Sequence, residues 1–165
     1  MDTLMCHNRH ITRKEEPMKK RILILYHPEH KSRVDEIRPI LEDADYYVHV
    51  SEVDAETIYD IIPTIAYNTC ELVLTFDAFG FDRMNIDGGS YFNYTPVNVL
   101  SILFGPAENY AGTLKQRINY TISFLVPSDA DVSFFREHLP HIYQVSVLAS
   151  PDELPSYLDT MDWRF

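Results

Sequence analysis

Apolar residues arrive in short unbroken runs divided by stretches of helical spacing, the pattern of an α/β chain whose strands are covered on both faces. The first run, 21–26 (RILILY), reads as a strand that His27-Pro28 ends, because proline cannot donate to a ladder and restricts the residue before it. Over 30–43, Val34, Ile37 and Leu41 recur at helical spacing, with Pro39 expected to kink or shorten the last turns. A β-prone segment at 46–50 (YYVHV) is followed by Asp54, a suitable N-cap for a helix carrying the stripe Ile58, Ile61, Ile62 and Ile65. After the Asn68-Thr69 break, 72–76 is a third strand. Strands alternating with helical patterns over short connections imply right-handed βαβ units and a parallel sheet.

Between Asp77 and Pro96 the periodicity disappears into a loop rich in glycine and aromatics. In a compact domain a loop of that length is functional or contains a short hairpin. The pattern resumes with a strand at 97–104, a short helix at 108–116 placing Tyr110 and Leu114 on one side, and a strand at 118–126 closed by Pro127-Ser128. A helix at 129–138 presents Val132, Phe135 and Leu139, and 142–148 is an edge strand. Ser150-Pro151-Asp152-Glu153 has the form of a capping box, so a last helix begins there and buries Leu154, Tyr157, Leu158 and Met161. These elements predict a three-layer α/β/α sandwich, Rossmann-like or flavodoxin-like, with a mostly parallel sheet of about six strands.

With 165 residues and 45% apolar content the chain can fill one core, so 18–165 is expected to be a single α/β domain. Residues 1–17 show no periodicity and are expected to be a disordered leader; a metal site built from its Cys6, His7 and His10 lacks a fourth ligand. The formal net charge of −11 is uneven: 1–21 carry six Lys/Arg against three Asp/Glu, the remainder eight against twenty-two. So acidic a body repels a phosphate backbone and argues against nucleic acid as a partner. Cys70 beside a strand is expected to be a buried thiol. Neither a signal-peptide h-region nor a membrane-span-length apolar stretch is visible, and the expected location is cytoplasmic.

Open α/β sheets bind ligands beyond the carboxyl ends of their strands. There the chain places His27, Glu29 and His30 after the first strand, Asp77 after the third, and Glu108 after the fourth. A histidine beside a carboxylate can move protons near neutral pH, although solvation or loop capping is the commoner use of each. Asp77, directly after a buried strand, must be solvated, hydrogen-bonded or used. Within the long loop, Phe79, Asp82, Tyr91 and Asn93 are candidates to contact a sugar, while the series Phe76, Phe79, Phe81, Tyr91, Phe92 and Tyr94 can equally pin the loop to the sheet. No GxxxxGK[ST], GxGxxG or GxSxG motif occurs, so ATP, NAD and serine-hydrolase chemistry of the familiar kinds is not expected, nor any cofactor or metal.

From Tyr94 onward the order is polar-aromatic loop, Pro96, buried strand, Gly105-Pro106, a Tyr110-containing short helix, a strand, Ser128-Asp129, a helix and Leu139-Pro140. This order resembles the N-terminal half of bacterial two-domain (GT-B type) glycosyltransferases over residues 20–150. In that family an Asp-His-Pro-like turn is expected where this chain has Gly105-Pro106-Ala107, and the donor-binding domain needs about a hundred further residues. The resemblance implies a non-catalytic sugar- or acceptor-recognition domain or accessory subunit, acting on a glycan or nucleotide-sugar-related ligand or beside a partner chain. The competing class is a receiver-like, flavodoxin-like interaction domain. Asp77 stands where a receiver has its phosphoacceptor, but the acidic pair after the first strand is missing and Val126-Pro127 replaces Lys-Pro.

Overall fold

The computed structural model describes residues 18–65, 70–85 and 87–163. It contains a six-stranded, wholly parallel sheet flanked by helices on both faces, a three-layer α/β/α fold of the Rossmann- or flavodoxin-like kind. The strands are β1 (Arg21–Tyr26), β2 (Tyr47–Glu52), β3 (Leu72–Phe76), β4 (Asn98–Ile102), β5 (Ile122–Val126) and β6 (Gln144–Val147). Their order is β2-β1-β3-β4-β5-β6, with β6 at an edge as its sequence predicts. The chain reverses its direction of progress once, between β1 and β3.

That reversal sorts the helices. Crossovers of one hand that travel in opposite directions land on opposite faces. Accordingly α1 (Lys31–Asp43), between β1 and β2, covers one face through Val34, Ile37 and Leu41, which pack with Ile22, Ile24, Leu72, Leu74 and Phe76. On the other face lies α2 (Ile58–Ile65), whose Ile58 packs with Leu23, Leu25, Val73 and Val99. The helix α3 (Asp129–His138) joins that second face through Phe135, and α4 (Leu154–Thr160) returns to the first through Leu154 and Leu158. Successive strand residues thus feed opposite cores, which is why the runs show no polar alternation.

Several elements differ from their sequence expectation. Pro39 neither breaks nor shortens α1, which runs on to Asp43; Pro39 and Asp35, whose carbonyl loses its bond to the proline, are both exposed. The helix expected over 108–116 is a 3-10 turn, Ala107–Tyr110, followed by irregular turns. Gly112 disfavours continuation by about 1 kcal/mol relative to alanine, and Tyr110 is drawn to the strand ends. Ser150 makes no side-chain cap. A 3-10 turn, Pro151–Glu153, leads into α4 instead, with the Glu153 amide donating to the Ser150 carbonyl at 3.0 Å, and α4 itself has a proline in its first turn. Of the expected last-helix core, Leu154 and Leu158 are buried and Tyr157 and Met161 half-buried. Asp54 does cap, accepting from the Glu56 and Thr57 amides at 2.9 and 2.7 Å, but α2 begins only after that turn. The leader, the Asn68-Thr69 break and the side chains of Ile62 and Ile65 lie outside the described residues.

Cys70 is a buried free thiol, and burial pushes its pKa up to about 11, so it is inert at neutral pH. Where β1, β2 and β4 begin, the end of the described chain is tied down. Trp163 stacks on Tyr46 at 5.9 Å and lies under the Lys20 ammonium at 4.4 Å. Its indole donates to the Leu158 carbonyl at 2.9 Å, and Asn98 donates to the Asp162 carbonyl at 2.7 Å. No described helix is long and apolar enough to cross a membrane.

Candidate functional site

The strand ends around the β1/β3 reversal enclose a cavity of about 470 Å³, at the topological switch point where open α/β sheets bind ligands. Its wall at β1 is made by the segment after Tyr26. His27 takes the extended conformation its following proline demands, and Nδ1 accepts weakly from the Glu29 amide at 3.4 Å. The 3-10 turn Pro28–His30, closed by the His30 amide on the His27 carbonyl at 2.8 Å, folds His30 inward against Phe76 and Phe79, with both ring centroids 6.0 Å away.

His30 is only 8% exposed, and its Nδ1 has no hydrogen-bond partner among the described residues. Its Nε2 lies 3.6 Å from Asp77 Oδ2 and 3.9 Å from Glu29 Oε1, beyond hydrogen-bonding reach of both. Burial lowers its pKa below the usual 6.5; the nearby Asp77 and Glu29 carboxylates oppose that shift, while His27 and Arg33 add to it. The imidazole is therefore neutral at pH 7. The unfolded chain, titrating near 6.5, binds the proton more readily than the folded one. Stability from this residue is accordingly full above 6.5 and falls as the pH drops from there toward the lowered folded value. His30→Leu should flatten the loss of stability between about pH 7 and 5, as urea midpoints measured across that range will show.

The β3 wall is a strained turn. Asp77 and Ala78 both have left-handed backbone, at φ 51° and 57°, and Gly80 follows at 89°. Such conformations cost of order 1–3 kcal/mol each in a non-glycine residue and persist when the surroundings over-determine them. Here the Asp77 amide donates to the Ile102 carbonyl at 2.8 Å and the Ala78 amide to Ser101 Oγ at 3.2 Å. The Asp77 carboxylate is divided between two tasks. Oδ1 accepts from the Phe104 amide at 2.9 Å and the Tyr110 hydroxyl at 2.6 Å, locking the end of β3 to the end of β4. Oδ2 faces His30. Burial and the Asp77 hydrogen bond raise the Tyr110 pKa well above a phenol's, so its proton stays on the bridge.

Gly80 closes the turn under Phe92. A β-carbon there would lie 2.7 Å from the Phe92 ring and 2.8 Å from Ile58, in a backbone conformation alanine avoids. We expect Gly80→Ala to cost about 2–4 kcal/mol, read from the urea midpoint.

The remaining wall comes from Asp82, Ala55 and Thr113. Asp82 Oδ1 accepts a hydrogen bond from the Tyr59 hydroxyl, whose pKa burial and that carboxylate raise. Beyond Asp82 the loop contains a small hairpin, with Met84 paired antiparallel to Ser90, and a 3-10 turn at Tyr91–Tyr94.

Of the residues singled out by sequence, Glu29, Asp77, Phe79 and Asp82 meet in the cavity. His27 stays at its rim, 5.7 Å from the Phe79 ring. The others are placed elsewhere. Tyr91 packs on Tyr59 at 4.8 Å, and Asn93 accepts from the Asn119 amide at 2.9 Å and donates to the Arg117 carbonyl at 3.0 Å. Glu108 is exposed on the 3-10 turn and is not part of the wall. Phe76, Phe81 and Phe92 are buried, so for them the pinning role is the observed one. Nothing in His27-Pro28-Glu29-His30 marks which histidine turns inward, and Ala55 and Thr113 carry no chemical signal at all.

Among the described residues no group of three or more His, Cys, Asp or Glu is arranged to hold a metal ion. No family model, curated protein or solved structure matches the chain.

Proposed function

We propose that the chain is a small-ligand recognition domain of the kind found in the N-terminal halves of two-domain glycosyltransferases, taking a sugar or sugar-like polyol at the β1/β3 cavity without catalysing transfer on its own. The observation that carries this reading is the composition of the wall. Glu29, Asp77 and Asp82 are acceptors for ligand hydroxyls, Phe79 offers a half-buried apolar ring for a sugar face, and no lysine, arginine or glycine cradle is present for a phosphate. A protein partner supplying a donor-binding domain would complete the site.

Titration with a panel of monosaccharides, glycans and nucleotide-sugars, followed by amide NMR, tests it. Free sugars are expected to move the amides of 27–31 and 77–82, and nucleotide diphosphates to bind more weakly because the carboxylates repel them. Absence of any shift, or shifts confined to another surface, would sink the reading.

A second reading, a flavodoxin-like interaction domain, is favoured by the strand order and by Asp77 standing at the end of β3. It requires a binding partner and self-association or pull-down that light scattering can follow. Acyl phosphate is expected to leave Asp77 unlabelled, since Oδ1 is committed to Phe104 and Tyr110 and no lysine follows β5.

A further inference from the structure

We infer that two copies of the chain pair through the free edge of β2, forming a two-fold dimer with one continuous sheet; this interface rests on neither reading of the cavity. β2 ends the sheet on the side away from β6. The Tyr47 and Val53 amides donate to the Lys20 and Tyr26 carbonyls at 2.9 Å each. Backbone direction alternates along a strand, so residues 47, 49, 51 and 53 face β1, while the N–H and C=O groups of Val48, Val50 and Glu52 point away from it. No described strand receives them. Natural sheets blunt such an edge with proline, charged side chains or a bulge. From Tyr46 to Ser51 this edge has no proline, lysine, arginine or carboxylate, and its register with β1 is unbroken.

A second copy fits this edge both by register and by charge. Only residues whose backbone points outward can bond across it. A two-fold axis through Val50 sets Val48 opposite Glu52 of the copy and Val50 opposite Val50, which uses every outward amide of the strand. On the other face the exposed Tyr47 then covers Val53 of the copy. The same axis, perpendicular to the sheet, lays the two α1 helices side by side and antiparallel. α1 packs over β1 and β2, so with strands about 4.8 Å apart the helix axes lie about 14 Å apart, a gap that charged side chains span. One flank of α1 borders α4 and sends Arg33 over the Phe104 ring at the end of β4. At about 100° per residue the other flank, above the free edge of β2, carries the exposed residues Lys31, Asp35, Arg38 and Glu42. Each helix already pairs Lys31 with Asp35, and Arg38 with Glu42 at 2.8 Å. Reversed against itself, the row sets Lys31 opposite Glu42 and Asp35 opposite Arg38, so every facing pair attracts. The row is centred between residues 36 and 37. Because α1 runs back along the length of β2, that centre lies beside the middle of the strand, where the register places the axis.

Analytical ultracentrifugation of the full chain at low salt provides the test. At about 50–100 μM, where an interface of micromolar affinity is populated, the mass should approach twice 19.2 kDa and fall toward that of one chain on dilution. Asp35→Arg and Arg38→Asp, made singly, set like charges against each other across the axis and should each weaken dimerisation by about tenfold or more. The double swap should restore it to within about threefold, a rescue that a role confined to one chain does not produce. Val50→Pro removes the outward amide at the axis and none of the bonds to β1, so it should leave a folded monomer by circular dichroism. Should that variant fail to fold, the charge swap still decides. A monomer at about 100 μM overturns the inference, as does growth beyond the dimer or a dimer indifferent to the single reversals. A double swap as weak as either reversal overturns it too.

Discussion

Asp77→Ala should lower folding stability by about 3 kcal/mol and abolish ligand binding, whereas Asp77→Asn should fold with nearly unchanged stability. The alanine variant strands two donors at once. The Phe104 amide and the Tyr110 hydroxyl both lose Oδ1, and the partly buried Tyr110 cannot turn to solvent without leaving the Gly105 amide, which donates to it at 3.1 Å. Each orphaned group costs about 1–3 kcal/mol. Alanine also loses the tolerance of left-handed backbone that aspartate and asparagine share, at a position with φ 51°. Asparagine restores an acceptor and that tolerance and removes only charge. Urea unfolding of the pair therefore separates the scaffold role of Oδ1 from the ligand role of Oδ2. Equal destabilisation by both variants would show that the charge itself holds the turn.

Phe81→Ala should be the most damaging single truncation in the loop, at about 3–5 kcal/mol. The ring is 1% exposed and bridges two neighbours, Phe92 at 4.7 Å and the β5 residue Phe124 at 5.3 Å, while the Phe81 carbonyl accepts from the buried Gln116 side chain at 2.6 Å. Removing it opens a void between loop and sheet that the aromatic stack cannot collapse to fill. The loss should appear both in the unfolding midpoint and as faster amide exchange through 81–94, the segment that ring anchors. Retained protection there would mean that Phe92 alone suffices.

Much of the fold was legible because a strand buried on both faces is largely apolar, and each of the runs at 21–26, 72–76, 97–104 and 118–126 contains one. The helix at 129–138 was readable to the residue, since Ser128 caps it by accepting from Asp131 and proline bars an earlier start. The order of the strands was not, because alternate burial says that a strand has two covered faces and nothing about which strand lies beside it. Prolines misled in both directions: Pro39 is harmless on an exposed face, while Pro151 and the proline in the first turn of α4 replace a side-chain cap with a 3-10 entry. At the site, chemistry-bearing residues and positions after strands were enough to single out Glu29, Asp77, Phe79 and Asp82, which line one cavity. The depth of His30 depends on a turn whose direction is set by Phe76 and Phe79, contacts made across 46 and 49 residues of chain. No local pattern encodes that.

The clamp formed by Lys20, Tyr46 and Trp163 has a practical consequence for handling the protein. Parallel strands start on one edge of the sheet and finish on the other, so this clamp and the ligand cavity are separated by a strand length, about 18 Å. A tether attached through residues next to Lys20 or Trp163 leaves from the edge away from the cavity. Surface immobilisation by either attachment keeps the cavity mouth facing solution, and a partner domain joined there would have to reach around the sheet to touch a bound ligand.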